Sequence, residues 1–153
     1  MSRLRSRAHP VDARTRCELN EPSLYSRTYT QRHAVLFVCT GNICRSPIAE
    51  RLASAWSARS DTIDLTVASA GTRAVVGSPM EPKAAQVLSD LGGSPDGFVA
   101  RQINPAVASS ADLVLTMTEE HRDAVLKLSP RHLKRTFTLL EAAHIARALG
   151  RER

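Results

Sequence analysis

The chain has 153 residues, of which 42% are hydrophobic and 24% are charged, and its formal net charge is +6 at pH 7. This length predicts a single domain, and the hydrophobic fraction is sufficient for a packed core. No apolar run approaches the roughly 18 residues of a membrane helix, and no signal-peptide core is present, which argues against membrane-spanning and secreted classes. The chain has only three cysteines, which argues against a disulfide-rich protein. We therefore expect a cytoplasmic protein.

Residues 1–33 differ in composition from the rest of the chain. They hold seven arginines against three acidic residues, which accounts for +4 of the formal charge of +6. Because they show almost no apolar periodicity, we expect a disordered basic extension, with the folded domain at 34–153. A basic arm can bind nucleic acid or an anionic membrane, although an extension without a partner is the simpler interpretation.

The next feature is an apolar run, 34–38, followed directly by Cys-Thr-Gly-Asn-Ile-Cys-Arg at 39–45. The run predicts a buried strand, and the Ser-Pro pair at 46–47 predicts the start of a helix. A turn that leads into a helix N-terminus presents several backbone N–H groups to one point, where an anion binds. The residues expected to form this anion site are Thr40, Gly41, Asn42, Ile43, Cys44 and Arg45.

Cys39 lies at the end of the predicted strand, beneath the positive field of this loop. Such a field stabilises the thiolate, which is the reactive form of cysteine, and Ser46 is close enough in sequence to donate a hydrogen bond to it. The guanidinium of Arg45 presents donors that match phosphate oxygens. The pattern predicts in-line phosphoryl transfer onto sulfur, with Cys39, Arg45 and Ser46 as catalytic residues and with no metal or other cofactor.

The remaining sequence alternates between helix and strand patterns. After the first strand we expect further strands at 62–69, 112–117 and 136–140. We expect helices at 48–60, 81–91, 119–128 and 141–149, and a short helix that begins at Asn104-Pro105. Thr118 is the expected N-cap of the helix at 119–128. Strands separated by helices predict an α/β fold. We expect a three-layer, doubly wound, parallel sheet of four strands with helices on both faces and the phosphate loop at the end of the first strand.

The segment 35–50, Val-Leu-Phe-Val-Cys-Thr-Gly-Asn-Ile-Cys-Arg-Ser-Pro-Ile-Ala-Glu, closely resembles the signature of low-molecular-weight protein-tyrosine phosphatases. Segments 69–72, 77–84, 100–103 and 111–118 resemble further landmarks of that family, so the resemblance runs from 34 to 140. It implies that Cys39 is the nucleophile of a phosphocysteine mechanism, that Arg45 binds phosphate and that Ser46 tunes the thiolate. It also implies that Asn42 holds the loop in shape.

Three features depart from the family's pattern. The family carries its general acid in an Asp-Pro motif near the C-terminus, but none of the eight prolines here follows an aspartate. The general acid is therefore unknown, and we expect the domain to lack the Asp-Pro loop and the final helix. Ala74 stands about where a substrate-facing tryptophan often lies. Phe98 replaces a histidine that helps to hold the loop asparagine, so we expect a core aromatic there and an Asn42 without that support.

Two interpretations of Cys44 stay open, and the histidines of the helical segments are expected on the surface. Cys44 matches a family cysteine that can form a reversible disulfide with the nucleophile, and its alternative is a small buried residue without a role. A zinc site from Cys17, His33, Cys39 and Cys44 is not favoured, because the C-x2-C spacing is absent. The three histidines expected to lie on the surface, on or near helices, are His121, His132 and His144.

Three functions fit these observations. The leading hypothesis is a phosphomonoester hydrolase, a protein-tyrosine phosphatase that acts on a phosphorylated protein or on a small phosphomonoester. A chain without its general acid can instead be a phosphate- or phosphopeptide-binding module. A thiol-dependent arsenate reductase is less favoured, because no cysteine follows Cys44 to relay a disulfide. The oligomeric state stays open.

Overall fold

The computed structural model describes residues 31–150 of the chain. Its elements are, in chain order, β1 (Arg32–Cys39), α1 (Arg45–Ser57), β2 (Asp64–Gly71), α2 (Pro82–Asp90), α3 (Pro105–Ser109), β3 (Leu113–Thr116), α4 (Glu119–Leu128), a 3-10 helix (Pro130–Arg135), β4 (Thr136–Thr138) and α5 (Leu139–Gly150). Every predicted helix and strand is present; α4 has the predicted ends, and the ends of the other elements are shifted. Among these helices, none combines the length and the apolar character that crossing a membrane requires.

The four strands form one parallel sheet in the order β2-β1-β3-β4. The chain moves from β1 to β2 on one side and then crosses back to β3 and β4 on the other side. This reversal makes the sheet doubly wound, and its switch point lies between β1 and β3. In open parallel sheets, ligands bind at the carboxyl ends of the strands at such a point. The predicted four-stranded parallel α/β fold is confirmed.

Side chains alternate along the central strand β1 and give the sheet two apolar faces. Leu36 and Val38 point to one face, where they pack with Val125 of α4 and with a residue of α3. Val35 and Phe37 point to the other face, where they pack with small residues of α1 and α5. The three-layer arrangement follows, because each face of the sheet is covered by helices. Each fully buried aliphatic side chain stabilises this arrangement by about 1.5–3 kcal/mol.

Helix α1 packs on two partners rather than through one apolar stripe. Ile48 and Leu52 pack with a cluster that includes Leu88 of α2 and Phe98, which is 7% exposed. Ala49 and Ala53 of α1 face the sheet instead. Phe98 is thus the core aromatic that the sequence predicts. Trp56, near the end of α1, is 49% exposed.

The polar residues that begin the helices satisfy their first N–H groups. The hydroxyl of Thr118 accepts a hydrogen bond from the N–H of His121 at 3.4 Å, which confirms the predicted N-cap of α4. Asn104 accepts from the N–H of Val107 at 2.9 Å at the start of α3. A capping side chain of this kind contributes about 1 kcal/mol to helix stability.

The boundary of the basic extension differs from the prediction. Arg32 and His33, which the sequence assigns to the extension, are the first residues of β1. Arg32 Nε lies 2.8 Å from Asp64 Oδ2 of the neighbouring strand, and both side chains are exposed. Backbone pairing with β2, rather than apolar character, extends the strand to these two residues. Residues 1–30 of the predicted extension lie outside the described residues.

Candidate active site

The backbone carbonyls of the loop between β1 and α1 are turned outward. The carbonyls of Cys39, Thr40 and Gly41 accept hydrogen bonds of 2.9–3.0 Å from the backbone N–H groups that follow β2. That of Ile43 accepts one of 2.9 Å from Glu81. By contrast, no N–H group of 40–46 donates a hydrogen bond to any residue within 31–150. These N–H groups are therefore available to an anion, together with the positive end of α1.

Gly71, at the end of β2, sits directly against this loop. A Cβ added at Gly71 would collide with the carbonyl oxygen of Thr40 and would also meet Ala74 at 3.0–3.1 Å. Only a residue without a side chain lets the strand end lie so close to the loop. The end of β2 therefore helps to fix the shape of the anion site.

Asn42 occupies the centre of the loop and is fully buried. Its φ of 55° lies in the left-handed region, which asparagine tolerates better than most residues do. Its Nδ2 donates to Ser46 Oγ at 2.9 Å and to Ser69 Oγ at 2.8 Å, and its Oδ1 accepts from the N–H of Arg101 at 2.8 Å. Phe98 does not support the Asn42 amide, as expected, but Ser69 and the Arg101 backbone hold it instead.

Cys39 and Ser46 are in contact at the base of the loop. Cys39 is 2% exposed and Ser46 is fully buried, and Cys39 Sγ lies 2.9 Å from Ser46 Oγ. Ser46 Oγ already accepts a hydrogen from Asn42 Nδ2, so its own hydroxyl hydrogen is available to the sulfur. The Ser46 hydroxyl can therefore donate a hydrogen bond to the sulfur.

The hydrogen bonds continue from Asn42 to a carboxylate outside the loop. Ser69 Oγ accepts from Asn42 and donates to Glu50 Oε2 at 2.5 Å. Arg101 Nε donates to the carbonyl of Ser69 at 2.8 Å. A cavity of about 300 Å³ borders these groups, lined by Glu50, Arg51, Ala68, Ser69, Gly97, Phe98, Val99 and Arg101. Cys39 is thus linked to Glu50 through the side chains of Ser46, Asn42 and Ser69.

Sequence reasoning assigned no role to Glu50, Ser69 or Arg101. Ser69 is paired with Phe37 of β1 in the parallel register, two residues before the end of that strand. A small polar residue near the carboxyl end of a strand, beside the strand that leads into the loop, is the signal that points to it. The contact of Arg101 with Asn42 runs through the backbone, so its side-chain type gives no such signal.

Arg45 is the first residue of α1 and is exposed. Its guanidinium makes no ion pair with another residue of the described part of the chain. The side chain is therefore free to bind an anion above the N–H groups of the loop. Arg45 and Cys39 are brought to the same end of the sheet, as the sequence predicts.

Cys44 differs from Cys39 in its surroundings. Both cysteines are free thiols, but the half-buried Cys44 packs with Met80 and Ala84. Burial raises the pKa of the Cys44 thiol, and the negative charges of Glu81 and Cys39 act in the same direction, against the opposing effect of Arg45. Cys44 is thus held as a thiol at neutral pH.

The predicted surface position is wrong for two of the three histidines. His121 is 6% exposed and His132 is 5% exposed, whereas His144 is exposed as expected. His121 Nε2 lies 2.8 Å from Thr40 Oγ1 and Nδ1 lies 2.9 Å from Thr118 Oγ1. The pKa of His121 is lowered by burial and, secondarily, by the positive charge of Arg45, while Glu120 opposes the shift. The first turn of α4 packs against the phosphate loop, which buries this ring.

The rim of the loop is aliphatic. Ile43 Cγ1 and Val75 Cγ2 lie 3.5 and 3.7 Å from the position of a Cβ built on Gly41, and Val75 and its neighbour Val76 are 49% and 67% exposed. Ala74, expected at the substrate-facing position, packs toward Gly71 instead. Val75 is therefore the residue of this segment that lies beside the loop.

Residues 31–150 contain no group of three or more His, Cys, Asp or Glu side chains arranged to hold a metal ion. Cys17, the remaining cysteine of the chain, lies outside the described residues. The positive groups described at this site are Arg45, the loop N–H groups and the helix N-terminus.

Known proteins share both the sequence and the fold around this site. A family model described as low molecular weight phosphotyrosine protein phosphatase matches residues 34–149. Wzb, a low molecular weight protein-tyrosine-phosphatase of Salmonella typhi, is 43% identical over 96 residues, which cover 63% of this chain and 61% of Wzb. A protein-arginine-phosphatase of Bacillus subtilis is 35% identical over 107 residues, which cover 70% of each chain.

A solved structure agrees with these matches. The crystal structure of the Erwinia amylovora tyrosine phosphatase AmsI superposes with a TM-score of 0.63 and 35% identity, covering 69% of this chain and 67% of AmsI. The chain spans 61% of the length of Wzb, so the similarity concerns only part of that relative. The matched residues include β1, the loop and α1, and the chain belongs to the low molecular weight phosphotyrosine protein phosphatase family.

Proposed function

We propose that the protein is a phosphomonoester hydrolase, a protein-tyrosine phosphatase that acts through a phosphocysteine intermediate on Cys39. The observation that carries the proposal is the position of Cys39 Sγ, 2.9 Å from Ser46 Oγ and beneath a loop whose N–H groups at 40–46 have no partner within 31–150. A nucleophile, a donor that stabilises it and an anion site are thus combined within eight consecutive residues, 39–46.

In the first step, the thiolate of Cys39 attacks phosphorus in line with the leaving oxygen. The S–P bond forms while the O–P bond breaks, and the leaving oxygen takes the electron pair. The loop N–H groups and the guanidinium of Arg45 bind the equatorial oxygens, on which charge is spread in the transition state. The Asn42 side chain keeps the loop in the required shape through its three hydrogen bonds.

In the second step, water attacks the phosphorus of the phosphocysteine. The P–O bond forms, the S–P bond breaks, and the electron pair returns to the sulfur of Cys39. Ser46 donates its hydroxyl hydrogen to this sulfur, so it stabilises the thiolate as a leaving group. Inorganic phosphate then leaves the loop.

The leaving oxygen of the first step needs a proton when its conjugate acid is weak. The sequence contains no Asp-Pro pair to supply that proton. General acid catalysis typically accelerates such a step by about 10²–10⁴-fold. We therefore expect turnover to depend steeply on the acidity of the leaving group.

For the substrate we propose a phosphorylated protein that carries phosphotyrosine. Wzb and AmsI are both named as tyrosine phosphatases. The rim formed by Ile43 and Val75 offers apolar surface for a phenyl ring. It is uncharged, which suits a neutral ring better than the guanidinium of phosphoarginine.

Phosphoarginine in proteins is the second candidate substrate. The Bacillus relative that is named a protein-arginine-phosphatase matches more of this chain, 107 residues, than the 96 that Wzb matches. Hydrolysis of matched peptides that carry phosphotyrosine or phosphoarginine separates the two candidates. A higher kcat/KM for the phosphoarginine peptide would reverse our preference.

We propose a reducing compartment such as the cytoplasm as the place of action. Attack on phosphorus requires a reduced Cys39, and both described cysteines are free. Oxidation of the Cys39 thiolate by a peroxide would give a sulfenic acid, and the Cys44 thiol would condense with it to a reversible disulfide with loss of water, which protects the nucleophile from further oxidation. The binding-module and arsenate-reductase alternatives find no support in the names of the relatives described above.

The test is steady-state hydrolysis of aryl phosphates with a range of leaving-group acidities. Wild-type turnover that falls steeply as the leaving group becomes less acidic supports a Cys39 nucleophile working without its general acid. The Cys39→Ser variant should lose turnover and retain vanadate binding. A Cys39→Ser protein with wild-type activity would exclude the mechanism, and wild-type vanadate binding without any hydrolysis would favour the binding module.

A further inference from the structure

We propose that His121 is a positioning residue for the phosphate loop, acting through the side chain of Thr40 and fixing the loop against the first turn of α4. The inference rests on the proposed function of the loop as a phosphoryl-binding site. His121 is 81 residues away from Thr40 in sequence and belongs to a different element, so it braces the loop from outside.

The geometry of the imidazole ring carries the proposal. Nε2 lies 2.8 Å from Thr40 Oγ1, and Nδ1 lies 2.9 Å from Thr118 Oγ1. The ring is 6% exposed, so it lies between the two hydroxyls rather than in solvent. A neutral imidazole has one donor and one acceptor nitrogen, and each hydroxyl can act in either role, so both contacts are satisfied.

Thr40 is the residue through which a change at His121 reaches the substrate. It follows Cys39 directly, and its N–H group is the first of those available to an anion. Its carbonyl accepts a hydrogen bond of 3.0 Å from the N–H of Arg73, while its side chain is bound only by His121 among the described residues. Without the His121 contact, only the hydrogen bond from Arg73 to the Thr40 carbonyl remains, so the peptide of Thr40 can reorient.

His121 also faces the charge that binds the substrate. The positive charge of Arg45 acts on the ring and disfavours a second positive charge there, in the same direction as burial. The ring therefore braces the loop as a neutral group at pH 7. Arg45 is thus the charged side chain of the anion site, and His121 acts on the loop through hydrogen bonds rather than through charge.

The second buried histidine provides a matched control. His132 is 5% exposed, and its ring also uses both nitrogens, with Nδ1 2.8 Å from Ser129 Oγ and Nε2 3.3 Å from the carbonyl of Ala111. None of these partners belongs to the phosphate loop. Replacement of His132 therefore reports the cost of losing a buried histidine without disturbing Thr40.

The experiment is a double-mutant cycle on vanadate affinity. The variants are His121→Phe, Thr40→Val and the double variant, with His132→Phe as control and His121→Gln as a partial rescue that keeps one polar contact. We expect His121→Phe and Thr40→Val each to weaken vanadate binding by about fivefold or more, and the double variant to be no weaker than the worse single variant. His132→Phe should lower the melting temperature and leave vanadate affinity unchanged.

Several results would overturn the proposal. One is a double variant in which the two losses of affinity multiply, since the residues would then act independently. Another is an equal loss of affinity in His132→Phe, and a third is wild-type protein that does not bind vanadate. If His121→Phe does not fold, His121→Gln decides, with an intermediate affinity expected. Wild-type binding without hydrolysis would remove the proposed enzyme function and leave this test intact.

Discussion

Asn42 Oδ1 accepts a hydrogen bond of 2.8 Å from the backbone N–H of Arg101, a residue 59 positions later in the sequence. The bond ties the centre of the phosphate loop to the segment that follows α2. Because both hydrogens of the Asn42 amide also bind serine hydroxyls, three of its four hydrogen-bonding positions are used. The shape of the loop therefore depends on β2 and on this later segment as well as on its own residues.

Replacement of Asn42 should cost both stability and activity. Asn42→Ala removes three buried hydrogen bonds and leaves a left-handed φ without support, so we expect the free energy of unfolding to fall by about 2–4 kcal/mol and kcat/KM to fall strongly. Asn42→Gly removes the same bonds but tolerates the positive φ. Urea unfolding should therefore show Asn42→Gly to be the more stable of the two. Equal wild-type activity in both variants would refute the bracing role.

Ser46→Ala should slow the second chemical step, the hydrolysis of phosphocysteine. In the proposed mechanism the hydroxyl stabilises the thiolate that leaves when phosphocysteine is hydrolysed, and a hydrogen bond to a charged group contributes about 1.5–3 kcal/mol. We expect kcat to fall roughly 10- to 100-fold. Rapid mixing with an activated aryl phosphate should then show a burst of phenol, because the intermediate accumulates. A Ser46→Ala protein with wild-type kcat and no burst would contradict this role.

Gly71→Ala should disturb the phosphate loop, because Gly71 at the end of β2 lies directly against it. The added methyl group collides with the Thr40 carbonyl and crowds Ala74, so we expect a loss of about 1–3 kcal/mol in unfolding free energy and weaker vanadate binding. Gly150→Ala is the control, because a Cβ there meets nothing within 4 Å. That variant should keep wild-type stability and affinity. Unchanged vanadate affinity in Gly71→Ala would show that the loop does not need this close approach.

The stability of the protein should depend on pH through His121. Burial and the charge of Arg45 hold its pKa below the ordinary value of 6.5, so the unfolded chain binds a proton at His121 at higher pH than the folded chain does. The resulting stabilisation is complete above pH 6.5 and is lost as the pH falls through the lowered folded pKa. Unfolding free energies at about pH 7.5 and about pH 5.5 should therefore differ less in His121→Gln than in wild type. An identical pH dependence would argue against this linkage.

The local features of the fold could be predicted from the sequence. The apolar run before Cys39, the Ser-Pro pair after Arg45 and the N-cap at Thr118 each act within a few residues, so periodicity and helix signals locate them. The alternation of strands and helices likewise predicts the parallel sheet. These signals are short in range and need no knowledge of tertiary contacts.

The supports of the site could not be predicted in the same way. Ser69 and His121 reach the loop across 27 and 81 residues respectively, through strand order and helix placement that a single sequence does not specify. Phe98 illustrates the difficulty, because the loss of a histidine at that place suggested a weakened loop. Other groups hold Asn42 instead. The exposed rim residue is Val75 rather than Ala74, because Ala74 packs toward Gly71.

The opposite orientation of carbonyls and N–H groups in the loop has a consequence for the entropy of binding. The carbonyls of Cys39, Thr40, Gly41 and Ile43 are fixed by the scaffold before any substrate arrives. The donors are thereby preorganised, so little conformational freedom is lost when the phosphoryl group enters. Binding free energy then remains available for the transition state, whose charge the same donors meet without rearrangement.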